Sequence, residues 1–260
     1  MKGFLHLLLS GMLSIFVLIG CSSNTDSVES SGTLNIYLTD APADYESVTI
    51  TFSEISAHID GQWISIRNEE PITVDLLQWN NGKSIIIGTA EIPEGHYTQI
   101  RLKIEEASVT IDGITHSLFV PSGAQSGLKL LINFEIVAGS TYELVLDFDA
   151  YRSIVVTGPP HGPNKYILKP TLRVIPRAMT GSISGTIANP EHRPVAYAIT
   201  TANDTITTSF VEQDGYFMLA YLPEGFYRVA IEDTLKRQFA KDSVQVVAGK
   251  NVGLGRITLE

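Results

Sequence analysis

The sequence predicts an all-β protein: two β-sandwich domains of immunoglobulin or transthyretin type behind a lipoprotein signal peptide and a flexible tether. Three observations carry this. From Gly32 onward apolar residues recur at every second position rather than every third or fourth, as in Ile100, Leu102 and Ile104 against Gln99, Arg101 and Lys103. Asp60-Gly61, Asn81-Gly82, Asp112-Gly113 and Asp214-Gly215 punctuate these runs with the residues tight hairpins require. No window of useful length has the periodicity of an amphipathic helix.

At the amino terminus Lys2 is the only charge before an apolar run from Phe4 to Gly20, after which the chain turns polar. That order is the shape of a secretory signal over residues 1–20, and the run is marginal for a membrane span. Leu18-Ile19-Gly20-Cys21 resembles the lipobox of bacterial lipoproteins. The resemblance implies acylation of Cys21 and a stable lipid anchor in a membrane of the cell envelope. Ser22, rather than an aspartate, follows the cysteine, which points to the outer membrane and leaves periplasmic and surface faces open. Residues 21–31 form the tether, since Ser22–Ser31 cannot bury enough apolar surface to order.

The first domain is expected over residues 32–176. Alternation runs through Ile50 and Phe52, and through Tyr142, Leu144, Leu146 and Phe148; SVTI-DG-ITHSL is the clearest hairpin. A strand YILKPTLRVI ends at Pro176, and GSISGTI opens a second domain over 180–260. Ile92-Pro93-Glu94-Gly95-His96-Tyr97 is echoed by Leu222-Pro223-Glu224-Gly225-Phe226-Tyr227, a turn into a strand whose first aromatic covers the sandwich edge. Nothing else aligns by eye between the halves.

Two resemblances follow. LTDAP (38–42), DLL (75–77), PEGHYTQIRL (93–102), VPSGAQSGLKL (120–130), LDFDAYRSIV (146–155) and ILKP (167–170) occur in the order found in the bacterial envelope-lipoprotein domain of unknown function, family 4382. This implies architecture and address but no reaction. Gly185, Asp214-Gly215-Tyr216-Phe217, Leu222-Pro223-Glu224-Gly225 with Tyr227, and Gly249 resemble a carboxypeptidase regulatory-like domain. That implies a transthyretin-type sandwich with a carbohydrate-binding-like fold, used as spacer, scaffold or binding module, and brings no catalytic residue.

Charge and composition exclude several function classes. With Lys+Arg 18 against Asp+Glu 28 the net charge is −10, which repels nucleic acid. A single cysteine rules out an intramolecular disulfide and any multi-cysteine metal site. Gly181-Ser182-Ile183-Ser184-Gly185 has isoleucine where a nucleophile elbow needs serine, GAQSGLK lacks the spacing of a phosphate loop, and the six histidines form no HExxH pair.

The chemistry that remains is sparse. Asp147 and Asp149 alternate on one strand face, and Asp40 ends a strand; together they offer oxygen ligands for calcium, or else serve as turn acceptors on a solvated edge. Ser122, Gly123, Ser126 and Gly127 would give a loop whose N–H groups cradle an anion beside Lys129, or simply a connection between sheets. Trp63, Trp79 and the Pro159–Pro163 loop are further surface candidates, with core packing expected for both tryptophans. Asp-Ser/Thr-aliphatic triplets at Ser27, Thr205, Thr234 and Ser243 resemble acceptors of an envelope O-glycosylation system.

The expected function is non-enzymatic binding or scaffolding at the envelope, of glycan or of an envelope protein. The alternative is a structural subunit that assembles with a protein partner by strand addition. A carboxylate-dependent hydrolase using Asp147 with Asp149 or Glu143 ranks third, because a flat sandwich face rarely offers the cleft it needs.

Overall fold

The computed structural model describes residues 30–67, 70–158 and 165–260. The signal peptide, the lipidation site Cys21, the acceptor Ser27 and the Pro159–Pro163 loop lie outside these residues. In chain order the first sandwich comprises β1 (Ser31–Ala41), β2 (Ser47–Ile59), β3 (Gln62–Arg67), β4 (Ile72–Asp75), β5 (Ile85–Pro93), β6 (Gly95–Ile111), β7 (Ile114–Ser117), β8 (Leu128–Ile136), β9 (Thr141–Asp149), β10 (Ile154–Thr157), β11 (Lys165–Leu168) and β12 (Leu172–Pro176). The second comprises β13 (Thr180–Ile187), β14 (Val195–Thr200), β15 (Thr205–Phe210), β16 (Tyr216–Pro223), β17 (Gly225–Glu232), β18 (Gln238–Val246) and β19 (Asn251–Ile257).

The period-two pattern does what alternation dictates. Leu34, Ile36 and Leu38 of β1 and Leu144, Leu146 and Phe148 of β9 share one buried cluster with Ile50 and Phe52 of β2 and Ile100, Leu102 and Ile104 of β6. These residues come from two facing sheets, β12-β9-β1-β5 and a six-stranded sheet built on the long strands β2 and β6. A separate cluster around Ile183, Phe217, Leu219, Val229 and Ile231 fills the space between sheets β16-β13-β19 and β15-β14-β17-β18.

The two sandwiches repeat one topology. In each, the first strand lies between an antiparallel partner that ends in Pro-Glu-Gly and a late parallel partner: β1 between β5 and β9, β13 between β16 and β19. In each, the strand after Pro-Glu-Gly crosses to the other sheet, and its tyrosine hydroxyl donates back to the proline carbonyl, Tyr97 to Pro93 and Tyr227 to Pro223, both at 2.9 Å. This is a tyrosine corner. The covering residue is thus the buried tyrosine, and the first aromatic of the second copy, Phe226, is exposed.

Contrary to the expectation that nothing else aligns, the halves share a second echo: Val137-Ala138-Gly139-Ser140 and Val247-Ala248-Gly249-Lys250. Gly139 N–H donates to Ser31 and Gly249 N–H to Thr180; Thr33 N–H donates to Ser140 and Ser182 N–H to Lys250. Gly32 and Gly181 are the only residues that fit beside these turns, since a Cβ on either would collide with the carbonyl oxygens of Val137 and Ser140 or of Val247 and Lys250.

Other expectations need correction. Asp60-Gly61 and Asp112-Gly113 close hairpins in the left-handed region, but Asn81-Gly82 joins no paired strands and Asp214-Gly215 links strands of different sheets. YILKPTLRVI is two strands, because Pro170 cannot continue a ladder: β11 pairs with β10, and β12 with β9. Among the described residues there are two short α-helices, α1 (Ser122–Gly127) and α2 (Ala150–Ser153).

Candidate functional site

The most organised polar chemistry lies where the sandwiches meet. Asn81, in the left-handed region with φ 55° and 9% exposed, projects from the turn before β5 toward the gap between the edge strands β15 and β16. Its Oδ1 accepts the backbone N–H of Met218 and the Ser209 hydroxyl, and its Nδ2 donates to Glu212 at 2.8 Å. Tyr221 donates its hydroxyl to Ser84 at 2.9 Å, and Lys83 pairs with Glu212 at 3.4 Å. An unpaired sheet edge is thereby satisfied by a side chain of the neighbouring domain.

The three aspartates sit beside this junction, but not as a solvated cluster. Asp147 is buried because the second sandwich covers the outer sheet face there, with Thr207, Ala220 and Tyr221 around the same small void. Arg173, directly opposite on β12, donates from Nε at 2.8 Å and pairs through Nη2 at 2.6 Å. Burial nonetheless raises the Asp147 pKa, with Arg173 acting against it. Asp40 is buried too; its Oδ1 accepts the Ala150 N–H at 3.0 Å, which fixes the start of α2, while Oδ2 has no hydrogen-bond partner. Burial pushes Asp40 well above the usual carboxylate range, opposed by the Ala150 N–H and reinforced by Asp147, Asp149 and Asp75.

Asp149 caps α2 through the Arg152 N–H and pairs with the Arg152 side chain. Among the described residues no group of three or more His, Cys, Asp or Glu is placed to hold a metal ion, which removes the basis for calcium at Asp40, Asp147 and Asp149. The acid–base pairing fares no better: Glu143 accepts from the Tyr37 hydroxyl at 2.6 Å and faces Arg177, while Asp147 is held by Arg173.

Ser122, Gly123, Ser126 and Gly127, the candidate anion cradle, lie in a helical turn and not in an open loop. This segment is α1, whose N–H groups of Ala124 and Gln125 turn to Pro121, and the Ser126 hydroxyl donates to Gly123. Gly127, at φ 119°, makes room for the stem of Arg101, whose guanidinium lies 4.4 Å from the Trp63 ring centroid; Lys129 sits 5.8 Å away. Trp63 is therefore a half-buried surface platform rather than core. Of the remaining acceptor triplets, Thr234 and Ser243 are exposed and Thr205 is half-buried.

A cleft of about 500 Å³ opens between the domains. One wall is Ala41–Asp44 with Asp149, Tyr151 and Arg152; the other is the outer face of β14 and β15. Its first wall comes from LTDAP and LDFDAYRSIV, two of the stretches that mark the first domain. The family model described as Domain of unknown function (DUF4382) matches residues 31–170. The chain belongs to the DUF4382 family. No curated protein matches this DUF4382 chain. Its fold is similar to that of the Bacillus anthracis TIE protein, at 11% identity and TM-score 0.24, over 89% of this chain and 51% of that one. It is also similar to BcpA, the major pilin subunit of Bacillus cereus, at 11% identity and TM-score 0.24 over 88% and 70%. A fimbrial protein from Bacteroides ovatus ATCC 8483 matches at 13% identity and TM-score 0.24 over 89% and 50%. The DUF4382 chain thus spans about half the length of the first and third of these proteins.

Proposed function

We propose that this DUF4382 chain is a non-enzymatic assembly subunit of the cell envelope, lipid-anchored at Cys21, that joins a second copy of itself by strand addition. Its carboxylates favour structure over catalysis: those at Asp40, Asp147, Asp149 and Glu143 are each committed to a cap, an arginine or a tyrosine. The second sandwich, a carboxypeptidase regulatory-like module in this reading, is tied to the first by the Asn81 contacts and serves as a spacer.

The observation that carries the reading is the edge at β10. Phe119 extends the six-stranded sheet by a parallel bridge to Ile167 of β11, and β11 pairs with β10, so Ile154-Val155-Val156-Thr157 becomes its outermost strand. Among the described residues no further strand pairs with β10, and it carries no charge and no proline, the usual guards of a sheet edge. Val156 on it is exposed, as is Phe119 on the far side of β11, and such apolar surface favours a protein partner.

Sedimentation of the full chain carrying Cys21→Ser tests this. The expected result is a concentration-dependent dimer that Val156→Lys renders monomeric without change in circular dichroism. A chain that stays monomeric up to about 500 μM, where even weak specific pairs form, overturns self-assembly. Mass spectrometry of the membrane-extracted native protein tests the anchor, which an unacylated amino terminus would exclude.

A further inference from the structure

We infer that the cleft between the two sandwiches is a binding site for a neutral oligosaccharide. The inference is independent of strand addition at β10, which lies on other residues.

The floor follows from strand register. Ala196 and Ala198 of β14 face the core, so Val195 and Tyr197 face outward, and their cross-strand partners on β15 are Phe210 and Thr208. Two aromatic rings and a hydroxyl thus sit side by side on the outer sheet face. Tyr151, 66% exposed, lines the opposite wall. Aromatic rings facing open solvent with hydroxyls between them suit a ligand that has apolar C–H faces and polar edges.

Charge decides between ligand classes. The rim holds two carboxylates and two guanidinium groups, paired as Asp44 with Arg193 at 2.7 Å and Asp149 with Arg152 at 3.5 Å. Their formal charges cancel, so the site attracts neither phosphate nor a polycation. Asp44, Arg193 and Arg152 are exposed and Asp149 is half-buried, leaving lone pairs and N–H groups at the rim free to meet vicinal hydroxyls in forked geometry. A cleft of about 500 Å³ falls within the ~300–1,000 Å³ range of ordinary ligand sites.

Backbone strain points to the same place. His192 and Arg193 are consecutive non-glycine residues in the left-handed region, with φ of 75° and 53°. The conformation carries Arg193 across the domain boundary to Asp44 and sets its guanidinium 5.7 Å from the Phe210 ring centroid. Strained residues persist where surrounding structure holds them for a purpose, and here they close the rim.

The test is binding of the full chain to a panel of neutral oligosaccharides from dextran, mannan, xylan and chitin, read by saturation-transfer NMR. At least one should bind, and Tyr197→Ala should weaken it by about tenfold or more with an unchanged melting temperature. Phe226→Ala, an exposed aromatic outside the cleft, should leave binding as it is. Silence of the wild-type chain across the panel, or equal binding by Tyr197→Ala, overturns the inference. Displacement of a bound oligosaccharide by a random peptide pool, or peptide binding alone, overturns the ligand class.

Discussion

The amide of Asn81 in the first sandwich accepts the backbone N–H of Met218 in the second, and through Ser209 and Glu212 it also holds the strand and turn beside that edge. One side chain spans the two edge strands left open by the second domain.

Asn81→Ala should therefore uncouple the domains. The lost bonds and the stranded Met218 N–H are worth about 2 kcal/mol. Calorimetry should resolve two unfolding transitions in the variant where the parent shows one. A single transition at the parent temperature would mean that the contact stabilises nothing.

Arg173→Ala leaves Asp147 buried without its counter-charge and should cost about 3–5 kcal/mol in urea unfolding. Replacing both partners, as Arg173→Met with Asp147→Leu, should recover most of that loss. Failure of the double variant to recover would show that the pair has a role beyond charge compensation.

Asp40→Asn keeps an oxygen for the Ala150 N–H and removes a charge that burial disfavours. The native chain keeps its Asp40 proton to higher pH than the unfolded chain, so stability falls as pH rises from the ordinary value of 3.8 to the native pKa. Above that window the asparagine variant should be more stable by about 1–3 kcal/mol and should lack the decline. Urea unfolding at pH 4 and pH 8 reads both effects.

The two corner tyrosines give paired variants. Tyr97→Phe and Tyr227→Phe should each cost about 1 kcal/mol by losing the bond to the proline carbonyl. Burial pushes the Tyr97 pKa up to about 12, so the native state retains a proton that the unfolded chain releases near 10. Stability should fall between pH 10 and pH 12 in the parent, and less steeply in Tyr97→Phe, when followed by alkaline unfolding.

The architecture was legible because alternation is a local signal. Ile100, Leu102 and Ile104 point where their spacing says, and Asp112-Gly113 closes the expected hairpin. What covers a strand's outer face is not local. Asp147 alternates like a solvent-facing residue, and only the arrival of Ala220 and Tyr221 from the second domain buries it. Asn81 likewise has the spelling of a hairpin turn, while its partners lie more than a hundred residues away. Val137–Ser140 and Val247–Lys250 were readable as a repeat, since each precedes the parallel partner of its sandwich's first strand, but a shared Val-Ala-Gly carries little weight until the hydrogen bonds coincide. The cleft needed both domains in place, because neither of its walls encloses anything alone.

The parallel pairings bear on the order in which this chain acquires its shape. Thr33 aligns with Thr141 and Ser182 with Asn251, so the opening strand of each sandwich waits for a parallel partner made much later in the chain. Contacts so distant in sequence are slow to form. While the chain waits, β1 and β13 are near-equivalent claimants for the same kind of slot, each offering a glycine to a Val-Ala-Gly turn. Emergence from the amino terminus gives β9 to β1 before β19 exists, and that timetable guards the pair against exchanging strands.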